Sequence, residues 1–308
     1  MKVEGLINLY KKSENIFKIV DFINLNKRAF INLSGLNGSS IAFVAAAVIK
    51  SVEKSHVFIL SDKEESAFFY NDLEALFEDI NLDFFRKKIL FFPTSYNKSS
   101  DFNNIDQTNL LQRTEVLKRF QSRKESSIIV TYPEALCEKV VTASSLKKNT
   151  FKLAINENIP LYFLVELLSE YGFLKVDFVV EPGQYAVRGG IIDVFSYSND
   201  KPYRIEFYDD KIASIRTFDP ATQLSFDELS HITIISNILS SNTSYKERIS
   251  FLDFLNGEPV LWVDNIKFVG DKINNEITNI LSKKENQEDL IDEGNIENTV
   301  LINKDDFF

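Results

Sequence analysis

Residues 33–42 read Leu33-Ser34-Gly35-Leu36-Asn37-Gly38-Ser39-Ser40-Ile41-Ala42. A loop that grips phosphate between a strand and a helix has the form G-x-x-G-x-G-K-T. Its backbone N–H groups cradle the phosphates, its lysine neutralises their charge and its hydroxyl residue holds Mg²⁺. Here Gly35 and Gly38 occupy the first two glycine positions and Ser39 follows them. Ser40 stands at the last glycine, Ile41 at the lysine and Ala42 at the metal-binding hydroxyl. Neither charge-handling group is present, so phosphoryl transfer has no electrostatic support. No acidic pair follows the apolar run at 128–131 either, which leads into Tyr132-Pro133. The same two glycines suit an ordinary strand-to-helix turn. Both readings predict no ATP hydrolysis and no catalytic residue; weak anion binding at the helix N-terminus stays open.

Other reactive side chains are sparse. His56 and His231 are far apart, without Asp or Glu at ligand spacing, so no metal site is expected and surface or capping roles are. Cys137 lies in a predicted helix without a thiol-enzyme signature and reads as packing. Asp209-Asp210 and Asp219-Pro220 read as turns. Trp262 lies in an apolar strand and reads as core. No cofactor is implied.

The elements that would position these residues alternate over the first half. The apolar runs 29–33, 57–60, 89–92 and 128–131 read as strands. Helices are expected over 41–52, 64–76, 109–121 and around 135–141. Short apolar strands alternating with helices predict a parallel sheet covered on both faces. A helix over 161–171 ends at Gly172. Beyond it the pattern is β-rich, with strands over 176–180, 185–195, 203–208 and 212–218, separated by turn residues. Strands at 259–263 and 299–302 return to mixed α/β character. The acidic run 285–297 reads as a solvated surface loop or an exposed helix. An apolar Phe307-Phe308 end suggests that the parent chain continues.

Composition sets the class. With 44% apolar residues, 27 Phe and 308 residues, the chain has material for buried cores and two domains. No apolar run approaches the roughly 18 residues that span a bilayer. The N-terminus lacks a signal-peptide pattern, and one cysteine forms no internal disulfide, which fits a cytoplasmic protein. A net charge of −10 shifts the expectation from nucleic acid toward protein partners.

One stretch is more specific. Glu181-Pro182-Gly183-Gln184-Tyr185-Ala186-Val187-Arg188-Gly189-Gly190 is followed by Tyr203-Arg204-Ile205-Glu206-Phe207-Tyr208-Asp209-Asp210. Then comes Arg216-Thr217-Phe218-Asp219-Pro220-Ala221-Thr222-Gln223. This closely resembles the module shared by the excision-repair protein UvrB and the transcription-repair coupling factors. The lost phosphate loop, and the lack of a tyrosine-rich hairpin over 96–112, favour the N-terminal region of the coupling factors. The resemblance implies a degenerate RecA-like α/β domain in two segments, 1–148 and 239–308. A small α+β, β-rich insert at 149–238 would bind UvrA. It implies contacts through Arg188, Arg204 and Tyr208, the last at a position that often holds Phe. It further implies a parent that is an ATP-dependent translocase acting on double-stranded DNA and stalled RNA polymerase, with UvrA recruited by mimicry of UvrB. The alternative is a UvrB-like, nucleotide-dependent enzyme.

Strand alternation over 203–208 puts Tyr203, Ile205 and Phe207 on a core face and Arg204, Glu206 and Tyr208 on an exposed one. Exposed Arg and Tyr suit an interface, and equally an ordinary solvated strand face. Arg188 precedes Gly189-Gly190, where a bulge would leave its facing open. On this reading Arg204→Ala weakens UvrA binding by about 1–3 kcal/mol without unfolding the domain.

Overall fold

Three four-residue runs, His56–Ile59 (β1), Ile89–Phe92 (β2) and Ile128–Thr131 (β3), are buried along almost their whole length. Such runs are stable only with both sheet faces covered, and helices cover them here. The computed structural model describes residues 3–25, 29–82, 86–97, 106–122, 126–197, 199–236, 248–255, 258–285 and 301–302. Within these, the helices of the first half are Val3–Lys11 (α1), Glu14–Leu25 (α2), Ser40–Ile49 (α3), Lys63–Phe77 (α4), Gln107–Ser122 (α5), Pro133–Leu136 (α6) and Ala143–Lys148 (α7). Two-residue β4 is Val140–Val141.

Val260–Val263, here β14, joins this group from far along the chain and completes an all-parallel sheet of order β14-β1-β3-β2. Alternate residues serve opposite cores. Phe58, Ile89, Ile128 and Val130 pack with α3 and α4. Val57, Ile59, Leu90, Phe92 and Ile129 pack with Leu110 and Leu117 of α5. Helix α3 is apolar on every side because α1, α2 and α4 enclose it.

The β-rich part begins with β5 (Thr150–Ala154) and α8 (Leu161–Glu170). Gly172, at φ +74°, supplies the left-handed residue that ends α8. There follow Leu174–Lys175 (β6), Gln184–Arg188 (β7), Ile191–Val194 (β8), Tyr203–Tyr208 (β9), Lys211–Phe218 (β10), Ser225–Glu228 (β11) and His231–Ile235 (β12). Strands β6 to β11 form one sheet in the order β11-β10-β9-β8-β7-β6, antiparallel except for β6 with β7. The chain enters on β5 and returns on β12, and these two pair antiparallel over five residues. Arg248–Ile249 (β13) pairs with β4, followed by Phe251–Phe254 (α9) and, after β14, the long Ile266–Glu285 (α10).

The parallel α/β sheet and a β-rich part are therefore present, with several local differences from expectation. Residues 29–33 form no strand: β14 occupies the free edge of β1, and Phe30 is left 96% exposed. Residues 176–180 form no strand either. They cross the sheet face and set Val176 and Val179 against Ala186, Phe195 and Phe218. The helix expected at 135–141 stops at Leu136, and its last two residues form β4. Helices α1 and α2, which the sequence reading left unassigned, bury Ile7, Ile16, Ile19 and Ile23. The acidic run beyond Glu285 lies outside the described residues, as do Thr299 and Val300; Leu301 bridges Glu138.

His56 is fully buried and not a surface residue. Its Nδ1 accepts a hydrogen bond from Trp262 Nε1 at 3.0 Å across the β1–β14 pair. Trp262 itself is only partly buried, stacked on Phe58 at 5.1 Å. Burial pulls the imidazole pKa from 6.5 to about 4, opposed by a Val52 backbone bond and aided by the Lys54 charge. The unfolded chain thus takes up a proton that the folded chain refuses. This group's contribution is complete above pH 6.5 and is lost as pH falls through about 4. Full loss amounts to ~3 kcal/mol. Urea midpoints followed by the fluorescence of Trp262, the sole tryptophan, are expected to fall more steeply over that window than in His56→Leu. Parallel pH curves for the two proteins would remove His56 as the cause.

Candidate functional site: a charged face on the antiparallel sheet

The antiparallel sheet has two unlike faces, generated by strand alternation. On one, Tyr185, Ile192, Val194, Tyr203, Ile205, Phe207, Ile212 and Ile215 belong to the same buried cluster as Leu164 and Leu168 of α8. Pairing of Ala186 with Asp193 and of Asp193 with Arg204 puts those three, with Arg188, Glu206 and Tyr208, on the opposite face. Arg216 joins them opposite Arg204 on β10. The alternation expected for 203–208 is thus observed. No bulge occurs at Gly189-Gly190: Arg188 pairs directly with Ile191 across a two-residue turn, with Gly189 at φ +59°. The register shift lies in β10, between Ile212 and Ser214.

Asp193, in the middle of β8, has no solvent exposure. Arg204 grips it with two donors, Nε to Oδ1 at 2.8 Å and Nη2 to Oδ2 at 2.9 Å. Such a fork fixes direction as well as distance. Arg204 Nη1 donates to the Gln223 carbonyl and to Ser225 Oγ, and its guanidinium lies 4.6 Å from the Phe218 ring centroid. Hydrogen bonding to Asp193 pushes the guanidinium pKa above its already high value, against a smaller opposing effect of burial. Arg188 Nη2 donates to the same Asp193 Oδ2 while its guanidinium stacks over Phe178.

The expected patch of outward, unpaired cations is corrected on this point. Arg204 is only 18% exposed and is committed to the chain's own carboxylate; Arg188 is 40% exposed and half committed. What reaches solvent is an excess, because two guanidiniums share one carboxylate. The neighbouring pair is nearly balanced: Glu206 accepts from Arg216 at 2.7 Å and from Ser214 at 2.9 Å. Tyr208, 76% exposed at the end of β9, is the most accessible of the three motif residues. Asp209, at φ 53°, turns the chain into β10 just beyond it. Sequence reading missed Asp193 and Phe178. Asp193 lies four residues short of Tyr197 in an otherwise apolar strand, and that isolated acid was the available signal.

Residues 35–42 lie elsewhere, at the start of α3. Asn37 N donates to Ser40 Oγ, and Ser40 Oγ donates back to Asn37 O. Ser40 N and Ile41 N are bonded to Asn37 O and Gly38 O. Ser39 caps α3 without a side-chain bond. Ala42 is fully buried, and Ile41 packs partly buried against the same cluster. Gly35 and Gly38 both hold positive φ. Beyond the carboxyl ends of the parallel strands, where α/β folds commonly bind ligands, the chain's own side chains fill the space. Thr94 N donates to Tyr132 Oη, Tyr96 Oη to Glu276 Oε1, and Arg113 faces Glu138 at 3.5 Å. Cys137 is buried beside them, and burial raises its thiol pKa well above the ordinary value. His231, by contrast, is exposed beside Ser230. No cluster of metal-ligating side chains occurs among the described residues, and none of their helices is long and apolar enough to cross a membrane.

Comparison with known proteins places the charged face in context. The family described as UvrB interaction domain matches residues 151–238. A transcription-repair-coupling factor of Borreliella burgdorferi is 31% identical over 227 residues, which are 73% of this chain and 19% of that protein. One from Bacillus subtilis is 25% identical over 75% of this chain and 19% of its own length. UvrABC system protein B of Thermotoga neapolitana is 24% identical over 76% of this chain and 36% of its own. The chain therefore spans about a fifth of the coupling factors it matches and about a third of that UvrABC protein. The motif carrying Arg188, Asp193, Arg204 and Tyr208 falls inside the matched domain, and over about three quarters of its length the chain is similar to a region shared by transcription-repair coupling factors and UvrB.

Proposed function

We propose that this chain is a protein-docking module of nucleotide excision repair that binds UvrA through Arg188, Arg204 and Tyr208 and hydrolyses no nucleotide itself. The single observation that carries this reading is the site's build. An exposed aromatic and a guanidinium pair with one uncompensated charge stand on a rigid sheet, inside the segment matching the UvrB interaction domain. Tyr and Arg are the side chains most often found to dominate interfaces. Fixing them in advance lowers the entropy lost on docking.

In this reading residues 149–238 are the docking insert. Residues 1–148 and 239–308 form a degenerate RecA-like scaffold that holds it. The full-length parent is a cytoplasmic, ATP-dependent translocase that works on double-stranded DNA and RNA polymerase, and this module hands the lesion to UvrA by presenting a surface like that of UvrB. Support for the absence of hydrolysis comes from Ile41 and Ala42 at the lysine and hydroxyl positions, and from the turn at Asn37–Ser40, whose polar groups bond to one another.

Calorimetric titration of UvrA with the chain tests the reading directly. Tyr208→Ala removes an exposed side chain with no part in the core and is expected to weaken binding by about 1–3 kcal/mol at unchanged urea midpoint. Wild-type affinity in that variant would take Tyr208 out of the site, and no binding by the wild-type chain would end the docking reading. Arg204→Ala behaves differently from the expectation drawn from sequence. It strips the main partner from buried Asp193, so a stability loss of roughly 2–4 kcal/mol accompanies any loss of affinity. Asp193→Asn leaves two guanidiniums facing an amide and is expected to lower the urea midpoint comparably. A nucleotide-hydrolysis assay on the purified chain is expected to give only background; turnover would instead support the UvrB-like enzyme.

A further inference from the structure

At the β6 edge the charged face ends in a groove of about 530 Å³ lined by Lys175, Val176, Asp177, Phe178, Val187 and Arg188. Phe178 is 60% exposed, and the Arg188 guanidinium lies 5.4 Å from its ring centroid. A guanidinium stacked on a ring keeps its N–H edge free for an in-plane acceptor. Both oxygens of Asp193 already receive Arg204, and Arg188 shares one of them through a single nitrogen. Among the described residues no second acceptor is recorded for Arg188. Arg188 and Lys175 both line the groove.

The lining thus combines two cations, one carboxylate and exposed apolar surface. A phosphate backbone suits it poorly, since two cations beside exposed apolar surface offer no run of charge along which a polyanion could lie, and the whole chain carries −10. A lone carboxylate next to an apolar side chain suits it well. We propose that this groove is a second contact site for the same partner. It takes a partner Asp or Glu carboxylate on Arg188 and Lys175, and the adjoining apolar side chain on Phe178 and Val176. The proposal rests on the docking reading above and extends the contact from the hairpin tip at Tyr208 past β8 and β7 to the β6 edge.

Titrations of UvrA with the full chain and with Phe178→Ala, Lys175→Glu and Asp177→Asn test it. Phe178→Ala is expected to weaken binding about tenfold, an ordinary loss for an aromatic contact, with the circular dichroism spectrum and urea midpoint unchanged. Lys175→Glu is expected to weaken binding and flatten its salt dependence. Asp177→Asn removes a charge that repels the incoming carboxylate and is expected to tighten binding by about two- to fivefold. If Phe178→Ala and Lys175→Glu both bind as wild type while Tyr208→Ala does not, the groove is no contact site and the docking reading stands. If the wild-type chain fails to bind UvrA, both fall together. A parallel titration with duplex DNA covers the remaining source of anions: loss of DNA binding in Lys175→Glu with unaltered UvrA affinity would overturn the proposal in favour of a phosphate contact.

Discussion

The charged face depends on one carboxylate that has no access to water. An unpaired Asp in the middle of a strand, covered on all sides, would cost several kcal/mol. Asp193 avoids that cost because two neighbouring strands each deliver an arginine to it. The consequence is directional. Arg204 is held by a fork, by a carbonyl, by a hydroxyl and by the Phe218 ring, so little freedom is left in its guanidinium. Arg188 arrives as the second cation on a single acid and keeps its charge largely uncompensated. A buried anion thereby sets the geometry of an exposed cation. This is how a surface arginine, otherwise one of the most mobile side chains, is prepared for a partner.

That arrangement needs a firm base, to which two short ribbons and a shared core contribute. Strands β5 and β12 pair at the point where the chain enters and leaves the antiparallel sheet; β4 and β13 pair between there and the parallel sheet. The inner face of the antiparallel sheet and one face of the parallel sheet then belong to one continuous buried cluster. Phe92 of β2 stacks on Phe251 of α9 at 4.0 Å, and Tyr96 donates to Glu276 of α10, so segments before and after the antiparallel sheet in sequence close over the same core. Side-chain packing and buried hydrogen bonds, more than the short ribbons themselves, resist rotation of one sheet against the other.

Much of this was legible in the residues. Continuous apolar runs located β1, β2 and β3 to within a residue, because strands buried on both faces have no alternative use for such runs. Alternation over 203–208 sorted core from surface correctly, because a period of two admits only one division once one face is apolar. What failed was information held between segments. Residues 29–33 have strand composition but no partner, since β14, some 230 residues later, takes the edge of β1. Val176 and Val179 have β propensity but pack with Phe218 and Ala186 instead. His56 gave no local sign that Trp262 would bury it. Nor does the spacing of Arg188, Asp193 and Arg204 along three strands reveal that all three meet on one face, because register is fixed by turns that a one-residue bulge at Gly189-Gly190 would have shifted.

The start of α3 is a glycine turn whose polar groups bond to each other. Positive φ at Gly35 and Gly38 keeps a backbone path that only glycine takes without strain. In a working loop the N–H groups along that path point at phosphate, and a lysine returns from the helix to balance the charge. Here Ser40 turns its hydroxyl onto the Asn37 carbonyl and accepts the Asn37 N–H in return, so these two residues pair with each other. Ala42 then faces the interior beside Phe69 and Leu73, a place where a metal-binding hydroxyl would have neither ligand nor water. With α3 enclosed by α1, α2 and α4, apolar contact holds this helix in place. Polar substitution at Ala42 would therefore bury an unsatisfied group.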